Sequence, residues 1–145
     1  MSLKKLRKEI VKSCLAWEKY LGVAPHITGA ISEYDAMCLM NMSEKEMLEE
    51  SKGKTAVQKG HDFIYKNIRY QVKANRPSGK KGSFVTLTSK ANNYEFDKLI
   101  WILYDYKFNI QEAYICNVKE YREKLGKLNQ VRPKNIREIG SRISV

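Results

Sequence analysis

The sequence has few cysteines and prolines, and it has no long apolar run. Its three cysteines, Cys14, Cys38 and Cys116, are far apart and match neither a zinc site nor a disulfide framework, so we expect free thiols in a reducing cytoplasm. No apolar run approaches the roughly 18 residues of a membrane-spanning helix, and no signal peptide is recognisable, so neither secretion nor a membrane partner is expected. We therefore expect one cytoplasmic domain over residues 1–145.

Acidic side chains are scarce in one block of the chain. Residues 51–90 carry 10 basic groups and a single acid, Asp62, whereas residues 1–50 carry 7 basic and 8 acidic groups and residues 91–145 carry 10 and 7. The formal net charge of the whole chain is +11. Positive charge concentrated in this way favours a polyanion as partner, with nucleic acid the default. The alternative is a basic, solvated surface that has no partner.

Apolar spacing predicts an α/β domain with one mixed sheet of about five strands, flanked by helices. Steps of three and four predict an N-terminal helix over 3–21 with one apolar stripe formed by Leu3, Leu6, Ile10, Cys14, Trp17 and Leu21. A second helix is expected over about 30–42. A third is expected to begin at Ser43, which starts a capping-box sequence. The polar stretch 50–60 predicts a loop.

The segment 60–74 predicts a hairpin around which the rest is organised. Apolar and polar residues alternate over 68–74, and Lys66-Asn67 can form a two-residue turn between this strand and 63–65. Pairing Tyr65 with Ile68 places Asp62, Gln71 and Lys73 on one face, within reach of one small ligand.

Later segments complete the predicted sheet. Strands are expected over 84–88, over 99–104 at the sheet centre, where the run is continuously apolar, and over 112–118. Asn117 is expected to begin a helix that Gly126 ends. The basic tail 127–145 is expected to pack back on the domain.

Asp62 and the sequence Gln71-Val72-Lys73 resemble the PD-(D/E)XK nuclease superfamily. That family places an acid at the start of one strand and (D/E/Q)-x-K in the next. Glu33 matches the further acid that many members carry on the preceding helix, and 96–105 looks like the strand that follows the active-site hairpin. The resemblance covers about residues 26–125 and implies a restriction-endonuclease-like fold.

The resemblance also implies a function, which is metal-dependent endonuclease cleavage of DNA phosphodiester bonds. Asp62 would be the main Mg²⁺ ligand, helped by the Gln71 side-chain oxygen and the Val72 carbonyl, and Mn²⁺ is a substitute. Glu33 would bind a second ion or an outer-shell water. Lys73 would orient or deprotonate the attacking water, or hold the scissile phosphate, and these roles stay open. Cleavage of both strands implies a homodimer.

Further basic residues are candidates for phosphate contacts. The turn-rich loop 75–82 presents Arg76, Lys80 and Lys81, and the tail supplies Arg132, Lys134 and Arg137. The alternative for the loop is a solvated segment without a ligand. Likewise, Asp62 could pair with a lysine, Gln71 and Lys73 could lie on a solvated edge strand, and Glu33 could be a helix-surface acid. Two rival functions follow, namely a catalytically inactive DNA-binding module and a structural or interaction protein.

Overall fold

A computed structural model describes residues 2–54 and 60–145 of the chain. Five helices and five strands are found in these ranges: α1 Leu3–Leu21, α2 Thr28–Leu39, α3 Glu44–Ser51, β1 Phe63–Tyr65, β2 Ile68–Asn75, β3 Lys98–Tyr104, β4 Ile110–Asn117, α4 Val118–Leu125, α5 Pro133–Ile139 and β5 Ser141–Arg142. The prediction of an α/β protein with one mixed five-stranded sheet is confirmed. Residues 55–59 of the predicted loop lie outside the described residues.

The sheet has the order β1-β2-β3-β4-β5, and β3 is its centre. β2 and β3 run parallel, whereas the other neighbours run antiparallel. The four residues 99–102 of β3 are at most 1% exposed, because the strand is covered on both faces. The predicted central strand is therefore confirmed. Parallel neighbours need a crossover, and residues 76–97 supply it without forming a helix.

The predicted hairpin register is also confirmed. Tyr65 pairs with Ile68 and Phe63 pairs with Tyr70. Lys66 and Asn67 have φ angles of 50° and 64°, which are the left-handed values that a two-residue turn of type I′ requires. Phe63 and Tyr70 stack with their ring centroids 4.9 Å apart, so the hairpin is held by a cross-strand aromatic pair as well as by its turn.

Two apolar clusters cover the two faces of the sheet. One joins residues of α1, α2 and α3 to Tyr70, Val72 and Ile100. The other joins α4 and α5 to Leu99 and Trp101. Because side chains alternate along a strand, Gln71 and Lys73 lie on the face opposite to Tyr70 and Val72.

Capping hydrogen bonds or a glycine determine where three of the helices begin or end. α3 begins after a capping box in which Ser43 accepts from the Glu46 N–H and the Glu46 carboxylate accepts from the Ser43 N–H. Asn117 caps α4 in the way expected, accepting from the Glu120 N–H. Gly22, at a φ of 83°, ends α1. α2 lies two to three residues earlier than the predicted range of 30–42.

The predicted strand over 84–88 is wrong. Residues 84–87 form no strand, and Thr88 makes only an isolated bridge to Val131. The fifth strand is instead β5, which pairs with β4. Both edges of β3 are already taken by β2 and β4, so the crossover that contains residues 84–88 has no free edge there. Alternation alone carries no information about whether a partner edge exists.

α1 turns a different face inward than its apolar stripe indicates. Of the predicted stripe, Cys14 is buried and Leu3 packs against the core, whereas Leu6, Ile10, Trp17 and Leu21 are between 38% and 63% exposed. Val11, which lies off the stripe, is buried. The inward face also carries two charged residues with distant partners. Glu18 binds Arg76, and Arg7 binds Asp35. These ion pairs set the rotation of the helix about its axis.

Asp35 lies at the centre of a buried polar network. The Arg7 Nε and Nη2 atoms donate to its two carboxylate oxygens at 2.7 Å each, and the Tyr104 hydroxyl donates to Oδ2 at 2.5 Å. Arg7 Nη2 also donates to the Phe108 carbonyl at 2.9 Å. Asp35 is 5% exposed. The network ties α1, α2 and the β3–β4 connection together.

Removing the carboxylate should therefore destabilise the fold strongly. We expect Asp35→Ala to lower the free energy of unfolding by about 3 kcal/mol or more, because it leaves the Arg7 charge and the Tyr104 hydroxyl without their partner. The matched control is Glu49→Ala, which breaks the solvent-exposed Lys52–Glu49 pair and should cost less than about 1 kcal/mol. Urea unfolding measures both variants. Equal losses would contradict a central role for the network.

Candidate active site

Asp62 lies immediately before β1 and makes hydrogen bonds to β2 that a further residue of β1 would otherwise make. Its N–H donates to the Tyr70 carbonyl at 2.7 Å, and its Oδ2 accepts from the Val72 N–H at 2.6 Å. The carboxylate thus extends the hairpin ladder past the end of β1. In an extended strand the N–H and C=O of one residue point to the same side. The Val72 carbonyl therefore points toward the same edge as the Asp62 carboxylate.

Glu33 approaches the same point from α2. Its side chain is half-buried, and α2 packs against β2. Burial raises the pKa of the Glu33 carboxyl, and the neighbouring Asp62 raises it further through its charge and a side-chain hydrogen bond, while Lys54 opposes the shift. Two carboxyl groups are therefore side by side in a partly desolvated place. Such a pair is unfavourable unless it shares a proton or binds a cation.

Gln71 and Lys73 flank Val72 on β2, and both are half-buried. Their neighbours on β3 are Leu99 and Trp101. The structure thus brings Glu33, Asp62 and the Val72 backbone together, whereas the side chains of Gln71 and Lys73 project from the face of β2 opposite to the one that α2 covers.

The chemistry of this donor set suits a hard cation. Mg²⁺ prefers oxygen ligands and binds proteins through one or two carboxylates while it keeps several waters. Glu33 and Asp62 supply two carboxylates, and the Gln71 amide and Val72 carbonyl can supply further oxygens. Within residues 2–54 and 60–145, no group of three or more His, Cys, Asp or Glu side chains could hold a metal ion.

Asn75 is a residue that the sequence analysis missed. It lies in line with Gln71 and Lys73, two residues further along β2. Its Nδ2 donates to the Leu87 carbonyl at 3.1 Å, and its Oδ1 accepts from the Trp101 Nε1 at 2.9 Å. Asn75 therefore holds the crossover over the face that carries Lys73. The alternation that singled out Gln71 and Lys73 also includes Asn75 and could have found it.

Arg76 is not placed for a phosphate contact. Its side chain is 6% exposed and binds Glu18, with Nη2 and Oε1 at 2.8 Å. Its Nε donates to the Tyr106 carbonyl at 2.8 Å, and the guanidinium lies 4.6 Å from the centre of the Phe108 ring. Arg76 therefore ties the loop 75–82 to α1 and to the β3–β4 turn. Lys80 and Lys81, further along that loop, are exposed.

The three tail residues differ in their surroundings. Lys134 and Arg132 are exposed, and the Arg132 N–H donates to Asn135 at the start of α5. Arg137 is engaged by Glu112, with Nε and Nη2 donating to the two carboxylate oxygens at 2.8 and 2.7 Å. Lys134 and Arg132 thus stay available for an anion, while Arg137 already has a carboxylate partner.

The chain matches no protein-family model and no curated protein in the comparisons made with it. No helix in the ranges 2–54 and 60–145 is long and apolar enough to cross a membrane.

The burial of Glu33 beside Asp62 has a consequence for stability. Because its pKa is raised on folding, Glu33 costs stability once pH rises above the ordinary glutamate value, and the cost is complete above the raised value. We expect Glu33→Gln to be more stable than the wild type at pH 7–8. The difference should disappear below about pH 4, where the group is protonated in both the folded and the unfolded states.

The control is Glu123→Gln, which makes the same change in net charge at an exposed position of α4. It should show little such pH dependence. Urea midpoints measured from about pH 3 to pH 8 test the pair of variants, and identical profiles for the two would show that folding does not raise the pKa of Glu33.

Proposed function

We propose that this protein is a metal-dependent endonuclease that hydrolyses DNA phosphodiester bonds. The observation that carries the proposal is the Glu33–Asp62 carboxyl pair beside the Val72 backbone, with Gln71 and Lys73 on either side of Val72. Paired acids next to a strand lysine are the elements of the PD-(D/E)XK site. A restriction-endonuclease-like fold, a cytoplasmic location and a homodimer belong to the same proposal.

The acids and the strand would together hold the ion. Asp62 is oriented by the Val72 N–H, which donates to its Oδ2 at 2.6 Å. Glu33, the Gln71 oxygen and the Val72 carbonyl would complete the protein's share. A bound Mg²⁺ or Mn²⁺ ion would neutralise charge on the phosphoryl group and lower the pKa of a water ligand.

Lys73 would act on the substrate from the face of β2 that also carries Gln71. Its ammonium group can hold the scissile phosphate or orient the attacking water, because it follows Gln71 by two residues and therefore projects from the same side of β2. Gln71, which stands where many members have a carboxylate, adds an oxygen without adding charge. Glu33 would then provide the second negative charge.

The charge of the chain supports DNA as the partner. Ten of its basic residues and only one acid lie in 51–90, the block that contains Asp62, Gln71 and Lys73. Lys80 and Lys81 are exposed in the loop that follows β2, so they can contact phosphates near the cleavage point. Lys134 and Arg132 are second candidates for such contacts.

Cleavage of supercoiled plasmid tests the proposal directly. We expect nicking or linearisation in Mg²⁺ or Mn²⁺, no cleavage in EDTA, and a loss of at least about 100-fold in Lys73→Ala, because positioning and charge stabilisation account for large parts of such rates. Lys119→Ala, an exposed lysine on α4, is the matched control and should cleave normally. Cleavage that survives Lys73→Ala would mean that the active site lies elsewhere.

A second candidate is a catalytically inactive DNA-binding module, which the glutamine at position 71 favours. A module would bind DNA in a salt-dependent way, cleave nothing and gain no thermal stability from millimolar Mg²⁺ or Mn²⁺. The nuclease should gain stability from the ion, because a ligand that binds only the folded state raises its unfolding free energy.

The salt dependence of DNA binding tests the loop. Each phosphate contact contributes about 0.9 to the slope of log K against log salt. We expect the double variant Lys80→Ala/Lys81→Ala to lower the magnitude of that slope by about 2, measured by fluorescence anisotropy with a short duplex. Lys119→Ala/Lys124→Ala removes the same charge from α4 and should change the slope less. Equal changes would show that binding follows net charge alone.

A further inference from the structure

α1 carries an apolar surface that nothing in the described chain covers. Six large apolar side chains of α1 and the turn after it are between 38% and 81% exposed: Leu6, Ile10, Trp17, Tyr20, Leu21 and Val23. Beside Ile10 and Trp17 runs a shallow groove whose other wall is formed by Pro25 and Ile27. We call these six residues the α1 patch.

The α1 patch is large for a protein that stays alone in solution. With about 200 Å² for a fully exposed large side chain, the six residues leave on the order of 700 Å² uncovered. The largest apolar patch of a typical monomer is about 300–600 Å², whereas a standard interface covers about 800 Å² on each partner. The patch therefore has the size of one half of a protein–protein interface.

The order of side chains along α1 is nearly symmetric about its middle. Leu6 and Leu21 lie at equal distances from the point between residues 13 and 14, and so do Ile10 and Trp17. An antiparallel helix pair brings Leu6 of one copy opposite Leu21 of the other and Ile10 opposite Trp17. The small Ser13 lies where the two helices come closest. A twofold interface requires this kind of self-complementarity.

Charge favours the same arrangement. The lysines of α1 lie off the apolar stripe, at Lys4, Lys5, Lys8, Lys12 and Lys19. Because Lys4, Lys8, Lys12 and Lys19 occupy the side of the helix away from the stripe, two copies can meet through the patch without bringing these like charges into the contact.

We propose that two copies of this chain pair through the α1 patch, with their α1 helices antiparallel about a twofold axis near Ser13. Trp17 of each copy packs against Ile10 of the other and beside the groove next to it. The inference depends only on the surface of α1. It gives the proposed homodimer a specific interface, and it stands or fails independently of nuclease activity.

Sedimentation velocity without DNA or metal tests the pairing. We expect a dimer at tens of micromolar, and a dissociation constant raised at least about 30-fold in Trp17→Glu and in Ile10→Glu. Both side chains are about half exposed, so the substitutions leave the core intact, which circular dichroism checks. Phe84→Glu makes a matched change at an exposed aromatic outside the patch and should leave the dimer unaffected.

Cross-linking tests the antiparallel arrangement. In a Cys38→Ser background, which removes the one exposed thiol, Ser13→Cys should form a disulfide-linked dimer under mild oxidation, because residues near a twofold axis face their own symmetry mates. Lys8→Cys, on the other side of α1, should not. A wild type that is monomeric at 100 µM, a dimer that withstands both glutamate substitutions, or equal cross-linking of the two cysteine variants would overturn the proposal.

Discussion

The two-residue turn at Lys66 and Asn67 sets the geometry of the candidate site. Both residues adopt left-handed backbone angles, and this turn gives the pairing of Tyr65 with Ile68. A slip of one residue would move every side chain of β2 to the opposite face. With the observed register, the chain reaches Asp62 just where the Val72 N–H has no further β1 residue to bond, and the carboxylate accepts that bond instead. The position of Asp62 beside Glu33 therefore depends on the backbone of a turn that carries no chemistry of its own.

α2 carries two acidic residues whose carboxylates have opposite kinds of neighbours. Asp35 faces the core and has its charge matched by Arg7 and its second oxygen bound by the Tyr104 hydroxyl. Glu33, two residues earlier and on another side of the helix, has a second carboxyl group beside it and Lys54 as the opposing charge. A buried acid with a complete set of partners stabilises a fold. An acid placed against another acid stores unfavourable energy that a cation would relieve, and such arrangements are concentrated at functional sites.

Local patterns predicted the parts of the fold that local chemistry determines. The hairpin, the capping box at Ser43 and the apolar central strand could be read from the sequence because each depends on residues a few positions apart. The face of α1 could not, since it depends on Arg7 meeting Asp35, 28 residues away, and on Glu18 meeting Arg76, 58 residues away. The prediction of a strand over 84–88 failed because alternation does not reveal whether the edge of a neighbouring strand is free to pair. Of the candidate site, the register of the hairpin and the shared face of Gln71 and Lys73 could be predicted from alternation, whereas the approach of Glu33 to Asp62 rested on family resemblance.

The way in which the basic residues are used argues for contacts that do not depend on base sequence. Four of the five ion pairs among residues 2–54 and 60–145 engage arginines, namely Arg7, Arg69, Arg76 and Arg137. The positive charge left near the site therefore belongs mainly to lysines, such as Lys80 and Lys81. Guanine is most often read by the rigid two-donor fork of arginine, whereas a lysine ammonium is a flexible point charge. For the proposed DNA partner, the block 51–90 has both of its arginines, Arg69 and Arg76, committed to carboxylates. Its exposed lysines can follow a phosphate backbone, but they have little with which to distinguish one base pair from another.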